Sequence, residues 1–370
     1  MKELNIAKVI VENRRKKGLT QDELAAYMGV SKASVSKWET GQCYPDITFL
    51  PILATYFNIS IDKLIGYEPQ LTKEDIKKLY VELAEKFAEK PFLEVWGECQ
   101  KIVKKYYSCS SLLLQMTGLY INHHMLASKP ELGQKMLEEA LKLCHRIKEE
   151  SKEVVEIQEA HHLEGIIYLM QGKPTEVLEL FGEELHPIYS EEPCIAQAWQ
   201  MLGNQENAIK TLQVGIYQNL LLVINAMPQL LMLHTGDPDK IEEILRRALE
   251  MEKVFDLNHL NPNGMLQIYL TAAKIYAHQR QTEQALTYLK RYVEVGKFLF
   301  PCTLHGDAYF DKLDDWFQEF VLGSQAPRNE KVIKQSMIGG LVATPEFAYL
   351  KEDEEFQALV RQLHFILGVE

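Results

Sequence analysis

Apolar residues near the start of the chain recur at helical spacing, and capping residues and glycines interrupt them. Leu4, Ala7 and Val11, with Ile6 and Ile10, give a first helix one apolar face. Lys17-Gly18 closes it, with basic residues in its last turn. Thr20-Gln21-Asp22-Glu23 reads as a capping box, in which Thr20 accepts from the Glu23 backbone and Glu23 reaches back. A second helix therefore starts at Gln21 and runs to about Met28, and Gly29 supplies the turn after it. Ser31 caps a third helix that ends near Gly41. Tyr44-Pro45-Asp46 predicts a loop ending in an N-cap, followed by a fourth helix over Ile47–Phe57. Pro51 falls inside that helix and bends its first turn. Ser60 caps a short fifth helix to Ile65.

Gly66-Tyr67-Glu68-Pro69-Gln70 breaks the pattern, and Thr72-Lys73-Glu74-Asp75 restarts it. The reading is a small domain at 1–66, a linker at 67–71 and a larger region at 72–370. Nearly all of that region has helical periodicity, and no alternating run is long enough for a sheet. It also carries a loose internal repeat. Gly165, Tyr168, Gly172, Val177 and Phe181 share their offsets with Ala196, Trp199, Gly203, Ala208 and Leu212. Gln229, Met232, Gly236, Ile241 and Leu245 repeat them, as do Ala273, Tyr276, Arg280, Ala285 and Leu289. A small residue lets two antiparallel helices approach, a large one fills the space beside it, and glycine turns the chain. The pattern resembles the tetratricopeptide repeat. The expected fold is all-α: a five-helix head followed by an antiparallel helical-hairpin solenoid. Beyond about residue 330 the pattern is less regular. Gly339-Gly340 splits that segment, and Phe356, Leu359 and Leu363 line a closing helix.

The composition, 46% hydrophobic and 25% charged, suits a folded chain that needs no staple. Six scattered cysteines form no CxxC pair, so reduced thiols and a cytoplasmic setting are expected. The start lacks the order of a signal peptide, and the most apolar stretch, Leu220–Leu233, is too short to span a bilayer. No membrane association is expected. The net charge of -12 argues against nucleic acid until its distribution is read. Residues 1–66 carry nine Lys/Arg against seven Asp/Glu, a net of +2, which leaves -14 for the rest. That asymmetry fits a DNA-binding head on an acidic body.

The chemistry concentrates between Gln21 and Trp38. Ala25 is small where two helices cross, and Val30, Val35 and Trp38 face inward. The opposite face offers Lys32, Ala33, Ser36 and Lys37. Small side chains let a helix enter the major groove, and lysines meet phosphates or guanine edges. The stretch GLTQDELAAYMGVSKASVSKWETGQCYPD resembles the phage-repressor-type (Xre-like) helix-turn-helix family, over about residues 4–66. The resemblance implies that Gln21 contacts a phosphate and that Lys32, Ala33 and Ser36 read bases, with Ser31 at the helix start. It places Lys37 near bases or backbone, and Thr40 and Gln42 on the sugar-phosphate chain. It pairs Arg14 with Glu39 as a strut, which leaves Arg15, Lys16 and Lys17 for phosphates. One head reads one half-site, so a homodimer on paired half-sites of double-stranded DNA is expected. Two other readings stand beside this one: a head that only binds protein, and lysines that are merely solvated.

A helix-turn-helix head on such repeats resembles the peptide-pheromone-responsive regulators of Gram-positive bacteria, in which asparagines hold the peptide backbone. The candidates are Asn122, Asn219 and Asn225; a helix–helix hydrogen bond in the core is the other reading of each. A signalling peptide, another ligand or a protein partner is the expected occupant of the larger region. His123-His124 and His161-His162 are adjacent pairs, and adjacent helical residues diverge by about 100°. His161 and Glu164 share a face, yet the companion motif of a di-iron bundle is missing. No phosphate loop, HExxH or nucleophile elbow occurs, so no metal, cofactor or catalysis is expected.

Overall fold

The computed structural model describes residues 6–67, 70–185, 187 and 190–369. Leu4 of the expected first helix and Glu68 and Pro69 of the expected linker lie outside them. Among the described residues the head has five α-helices: α1 (Ile6–Lys16), α2 (Gln21–Met28), α3 (Lys32–Glu39), α4 (Leu50–Phe57) and α5 (Ile61–Ile65). Each local signal has a visible cause. Thr20 and Glu23 make both halves of the capping box, and Ser31 and Ser60 cap α3 and α5. Gly29 and Gly66 end α2 and α5 in the left-handed conformation, which a Cβ disfavours.

Three details of the head differ from the sequence reading. The buried stripe of α1 is Ile6 and Ile10, while Ala7 and Val11 are half-buried at its edges. The third helix stops at Glu39, because Gly41 takes φ 74 and cannot continue it. Asp46 caps a 3-10 turn at Ile47–Phe49, and α4 begins after it. Pro51 thus lies in the first turn of α4, where its missing N–H is no loss, rather than inside a longer helix.

The rest of the chain folds as α6 (Lys73–Glu89), α7 (Phe92–Lys105), α8 (Ser110–His123), α9 (Pro130–Glu150), α10 (Val154–Met170), α11 (Pro174–Phe181), α12 (Glu192–Met201), α13 (Gln205–Leu233), α14 (Pro238–Phe255), α15 (Leu257–Leu260), α16 (Pro262–His278), α17 (Thr282–Val295), α18 (Leu313–Phe317), α19 (Glu330–Val342) and α20 (Glu354–Leu367). Among the described residues the only β pairing is an isolated bridge, Thr303 to Gln325. The fold is therefore all-α. Neighbouring helices pack as hairpins, with α8 on α9, α12 on α13 and α16 on α17.

Two apolar cores hold these helices. One runs from Ile76 to Ile167 and the other from Tyr217 to Leu367. Between them lies a waist: α11 buries no side chain and α12 buries only Ala196. The connection from α17 to α19 bridges the two cores. Tyr80 Oη donates to the Pro327 carbonyl at 3.0 Å, and Lys73 Nζ donates to the carbonyl of Gln318 at 3.0 Å. Tyr217 of α13 meets Phe310 and Phe317 edge-on.

The repeat reading holds at some positions and fails at others. A Cβ on Gly165 would sit 2.2 Å from Phe181, so the small–large pair is real there. Arg280 takes φ 62 at its turn, the conformation Gly172 and Gly203 take at theirs. The third set is out of register: Gln229 and Met232 face outward, and Met227 and Leu231 are buried instead. Gly339-Gly340 does not split the last segment. Both lie within α19, where a Cβ on Gly340 would contact Leu270 and the Tyr292 hydroxyl at 3.5 Å. Phe356, Leu359 and Leu363 are buried in α20. The apolar run Leu220–Leu233 belongs to a 29-residue helix, continuous through Pro228. By length and composition α13 is sufficient to cross a membrane. One side of it is locked into the second core through Tyr217, Leu220, Ile224, Met227 and Leu231.

Candidate nucleic-acid interface

Helices α2 and α3 meet across Gly29, and α3 is fixed by its inner side. Val35 is fully buried and Trp38 nearly so, packed with Leu24, Ala25 and Met28 of α2. Trp38 also stacks at a tilt on Phe49, 5.6 Å between centroids. With that side held, helical geometry turns residues 32, 33, 36 and 37 the other way. Lys32, Ala33 and Lys37 are exposed and Ser36 is half-buried, so the sequence-derived set does share one accessible face.

The base of this unit is a buried ionic strut. Arg14 Nε donates to Glu39 Oε1 at 2.5 Å and Nη2 donates to Oε2 at 2.9 Å. Arg14 Nη1 also donates to the Leu19 carbonyl at 2.6 Å. The two side chains are only 12% and 5% exposed, so the pair is largely shielded from water. Burial alone would raise the Glu39 pKa. The hydrogen bonds from Arg14 and Gln21 and the charges of Arg14 and Arg15 outweigh it, so Glu39 titrates below its ordinary value. The strut ties the end of α1 to the end of α3 and sets the tilt of the exposed face.

The remaining candidates occupy varied positions. Gln21 Nε2 donates to Glu39 Oε2 at 2.9 Å, so the strut positions this amide and leaves its second N–H for another acceptor. The Gln21 backbone N–H, as the first of α2, has no acceptor within its own helix. Ser31 serves chiefly as a cap, accepting from Ser34 N at 3.1 Å and sharing a hydrogen with the Ser34 hydroxyl. Thr40 donates its hydroxyl to the Ser36 carbonyl at 2.9 Å, so it meets a phosphate only by rotating. Gln42 is exposed. Arg15 is exposed at the end of α1. Lys17 Nζ lies 5.6 Å from the centre of the Tyr56 ring. Lys32 pairs with Asp22 at 2.6 Å, both ends well exposed. An exposed pair of this kind contributes about 0–1 kcal/mol, so it yields readily to a phosphate.

The three asparagines are not brought together. Asn122 of α8 donates to the Gly118 carbonyl at 2.8 Å and to Tyr80 Oη at 3.5 Å. Asn219 donates to the Gly215 carbonyl at 2.8 Å and lines an apolar groove of about 400 Å³ beside Leu212, Ile216, Val223, Glu192 and Phe255. Asn225 is exposed on α13, outside that groove. The groove was missed in the sequence because its walls come from α12, α13 and α14. Of the histidines, His123 and His161 pack on aromatic rings rather than forming a ligand set, and the buried His123 Nε2 has no hydrogen-bond partner among the described residues. His123 is buried and stacks on Phe87, and His161 packs edge-on against Phe181. Glu164 pairs with His145 at 3.0 Å and with Lys148, not with His161. Among the described residues no group of three or more His, Cys, Asp and Glu side chains is arranged to hold a metal ion.

The head matches the sequence model of a helix-turn-helix family over residues 10–64. The HTH-type transcriptional activator BcrR of Enterococcus faecalis is 36% identical over 73 residues. That match covers 18% of this chain and 36% of BcrR, so the chain spans about a third of the length of this curated relative. No solved structure matches the chain. Residues 10–64 thus form a helix-turn-helix domain.

Proposed function

We propose that the protein is a sequence-specific, DNA-binding transcriptional regulator of the cytoplasm, not an enzyme. One observation carries the reading: the outer face of α3 is small, basic and exposed, while its inner face is held by Val35, Trp38 and the Arg14–Glu39 strut. Such a helix enters the major groove, and its first turns meet base edges. Lys32, Ala33 and Ser36 read or flank the bases, Lys37 lies beside them on the backbone, and Gln21, Arg15 and Lys17 meet phosphates. The likeness to a protein named a transcriptional activator supports this reading.

The helical region is then the part that pairs two heads and responds to a signal. Its tetratricopeptide-like hairpins behind a helix-turn-helix head resemble the peptide-responsive regulators. The groove at Asn219 is the place for a peptide or other ligand, with Asn219 Oδ1 as the acceptor its own helix leaves open. A second reading, that this region only recruits a protein partner, is favoured by its exposed apolar side chains, among them Met201, Leu202 and Leu222.

Selection of bound duplexes from a random pool tests the central claim. The expected result is paired half-sites about 34 Å apart or a multiple of that. A folded sample that enriches no sequence and binds no duplex at low salt overturns it.

A further inference from the structure

The exposed side of α13 follows a rule that the hairpin packing does not require. Ile209, Ile216, Val223 and Leu230 stand seven residues apart. Leu212, Asn219, Ala226 and Leu233 interleave with them in alternating steps of three and four. All eight are exposed. A 3.5-residue repeat of this kind is the seam by which one helix packs along another. The core-facing stripe of the same helix, from Tyr217 to Leu231, is already occupied. The seam is a second face that the core leaves open; its part from Leu212 to Val223 floors the groove between α12 and α14, so a second copy and a ligand at Asn219 would exclude each other.

We infer that α13 is the self-association surface of this protein, packing along the α13 of a second copy. This rests on the proposed regulator reading only in asking for two heads; the seam itself is an independent observation. Charge selects the occupant. The whole chain carries -12, so two copies repel over most of their surfaces. From Thr211 to Gly236 no Asp, Glu, Lys or Arg occurs. Apart from Glu192 of α12 at the groove's edge, this is the stretch where two acidic bodies meet with least repulsion. The one polar seam residue, Asn219, lies two residues from the midpoint of Ile209–Leu233, so it meets its own copy in a parallel pair and lies about one helical turn from it in an antiparallel one. A single asparagine in such a seam fixes register at some cost in stability.

Size sets the expected strength. The seam spans about 36 Å at 1.5 Å per residue, and one helix diameter of width gives roughly 400 Å² per partner. A standard stable interface has about 800 Å² per partner. The contact therefore belongs with weaker assemblies that depend on concentration.

Sedimentation equilibrium of the full chain between about 1 and 200 μM tests the inference. A monomer–dimer equilibrium is expected for the wild type. Ile216→Glu and Val223→Glu are expected to weaken it at least tenfold while leaving helicity and melting temperature unchanged, since both side chains lie outside the core. Phe365→Glu, on the exposed face of α20, is the control and should not weaken it. In a Cys43→Ser/Cys194→Ser background, Asn219→Cys should form an interchain disulfide on mild oxidation and Phe365→Cys should not. A wild type that stays monomeric, or glutamate variants that dimerise as the wild type does, overturns the inference. A monomer that floats with phospholipid vesicles overturns it too, in favour of lipid. A monomer that binds DNA removes the seam alone, whereas a dimer that ignores every duplex removes the regulator reading and leaves the seam standing.

Discussion

Replacing Glu39 by Ala leaves Arg14 charged, 12% exposed and without its carboxylate. Two charge-assisted bonds are lost, at 2.5 and 2.9 Å, together with the Gln21 anchor at 2.9 Å. Breaking a fully buried pair from one side costs about 3–5 kcal/mol, mostly because the surviving charge stays desolvated. Here Arg14 keeps the Leu19 carbonyl and some water, so about 2–3 kcal/mol is expected. Arg14→Ala should cost a similar amount, and the double substitution much less than their sum, with a coupling of about 1–3 kcal/mol. Hydrogen exchange of the full chain, followed by mass spectrometry on peptides from α1 to α3, reads the opening of the head by itself. The strut also sets a pH dependence. Glu39 has a folded-state pKa below its ordinary 4.5, so its stabilisation is full above 4.5 and is lost as pH falls through the lower folded value. Glu39→Gln should flatten that acid limb. Single costs under about 0.5 kcal/mol, or costs that simply add, would refute the strut as the element that orients α3.

Three other outcomes follow from the same structure. Lys37→Ala should weaken binding to all duplexes alike and lower the slope of log K against log salt by about one, measured by fluorescence anisotropy; an unchanged slope removes Lys37 from the interface. Asp22→Ala frees Lys32 and should tighten DNA binding by up to about fivefold at low salt, since exposed pairs contribute about 0–1 kcal/mol; weaker binding argues that Asp22 positions Lys32 rather than restraining it. Burial depresses the His123 pKa from 6.5 to about 4, so the unfolded chain binds the extra proton between those values. Stability of the first helical core should therefore fall by up to about 3 kcal/mol as pH drops from 6.5 to 4, and urea titrations of His123→Leu should lack that step.

The head was largely legible from its sequence because its signals are local. A capping box needs only residues 20 and 23, and a left-handed turn needs only Gly29. The misread details, at Pro51 and Gly41, are also short-range, but each has two local solutions that sequence alone does not rank. The candidate interface was legible as a set of residues but not as a set of bonds. Nothing in the spacing said that Gln21 would be held by Glu39, that Asp22 would take Lys32, or that the Thr40 hydroxyl would turn back on its own helix. The seam on α13 was present as a 3.5-residue pattern, yet the same run reads equally as core, and only the packing says which stripe is covered.

By itself the sequence determined the all-helical class, the places where the head's helices start and turn, and which side of α3 offers lysine and alanine. Caps, glycines and periodicity act within a few residues, and chain connectivity already fixes those distances. The tertiary structure alone decided that the body has two cores joined by a thin waist and bridged by the connection from α17 to α19. It also decided that the three asparagines stand apart and that α13 keeps one apolar side open. Those facts depend on contacts between residues tens to hundreds of positions apart, such as Tyr80 with Pro327. Side-chain packing, not local propensity, chooses among such contacts.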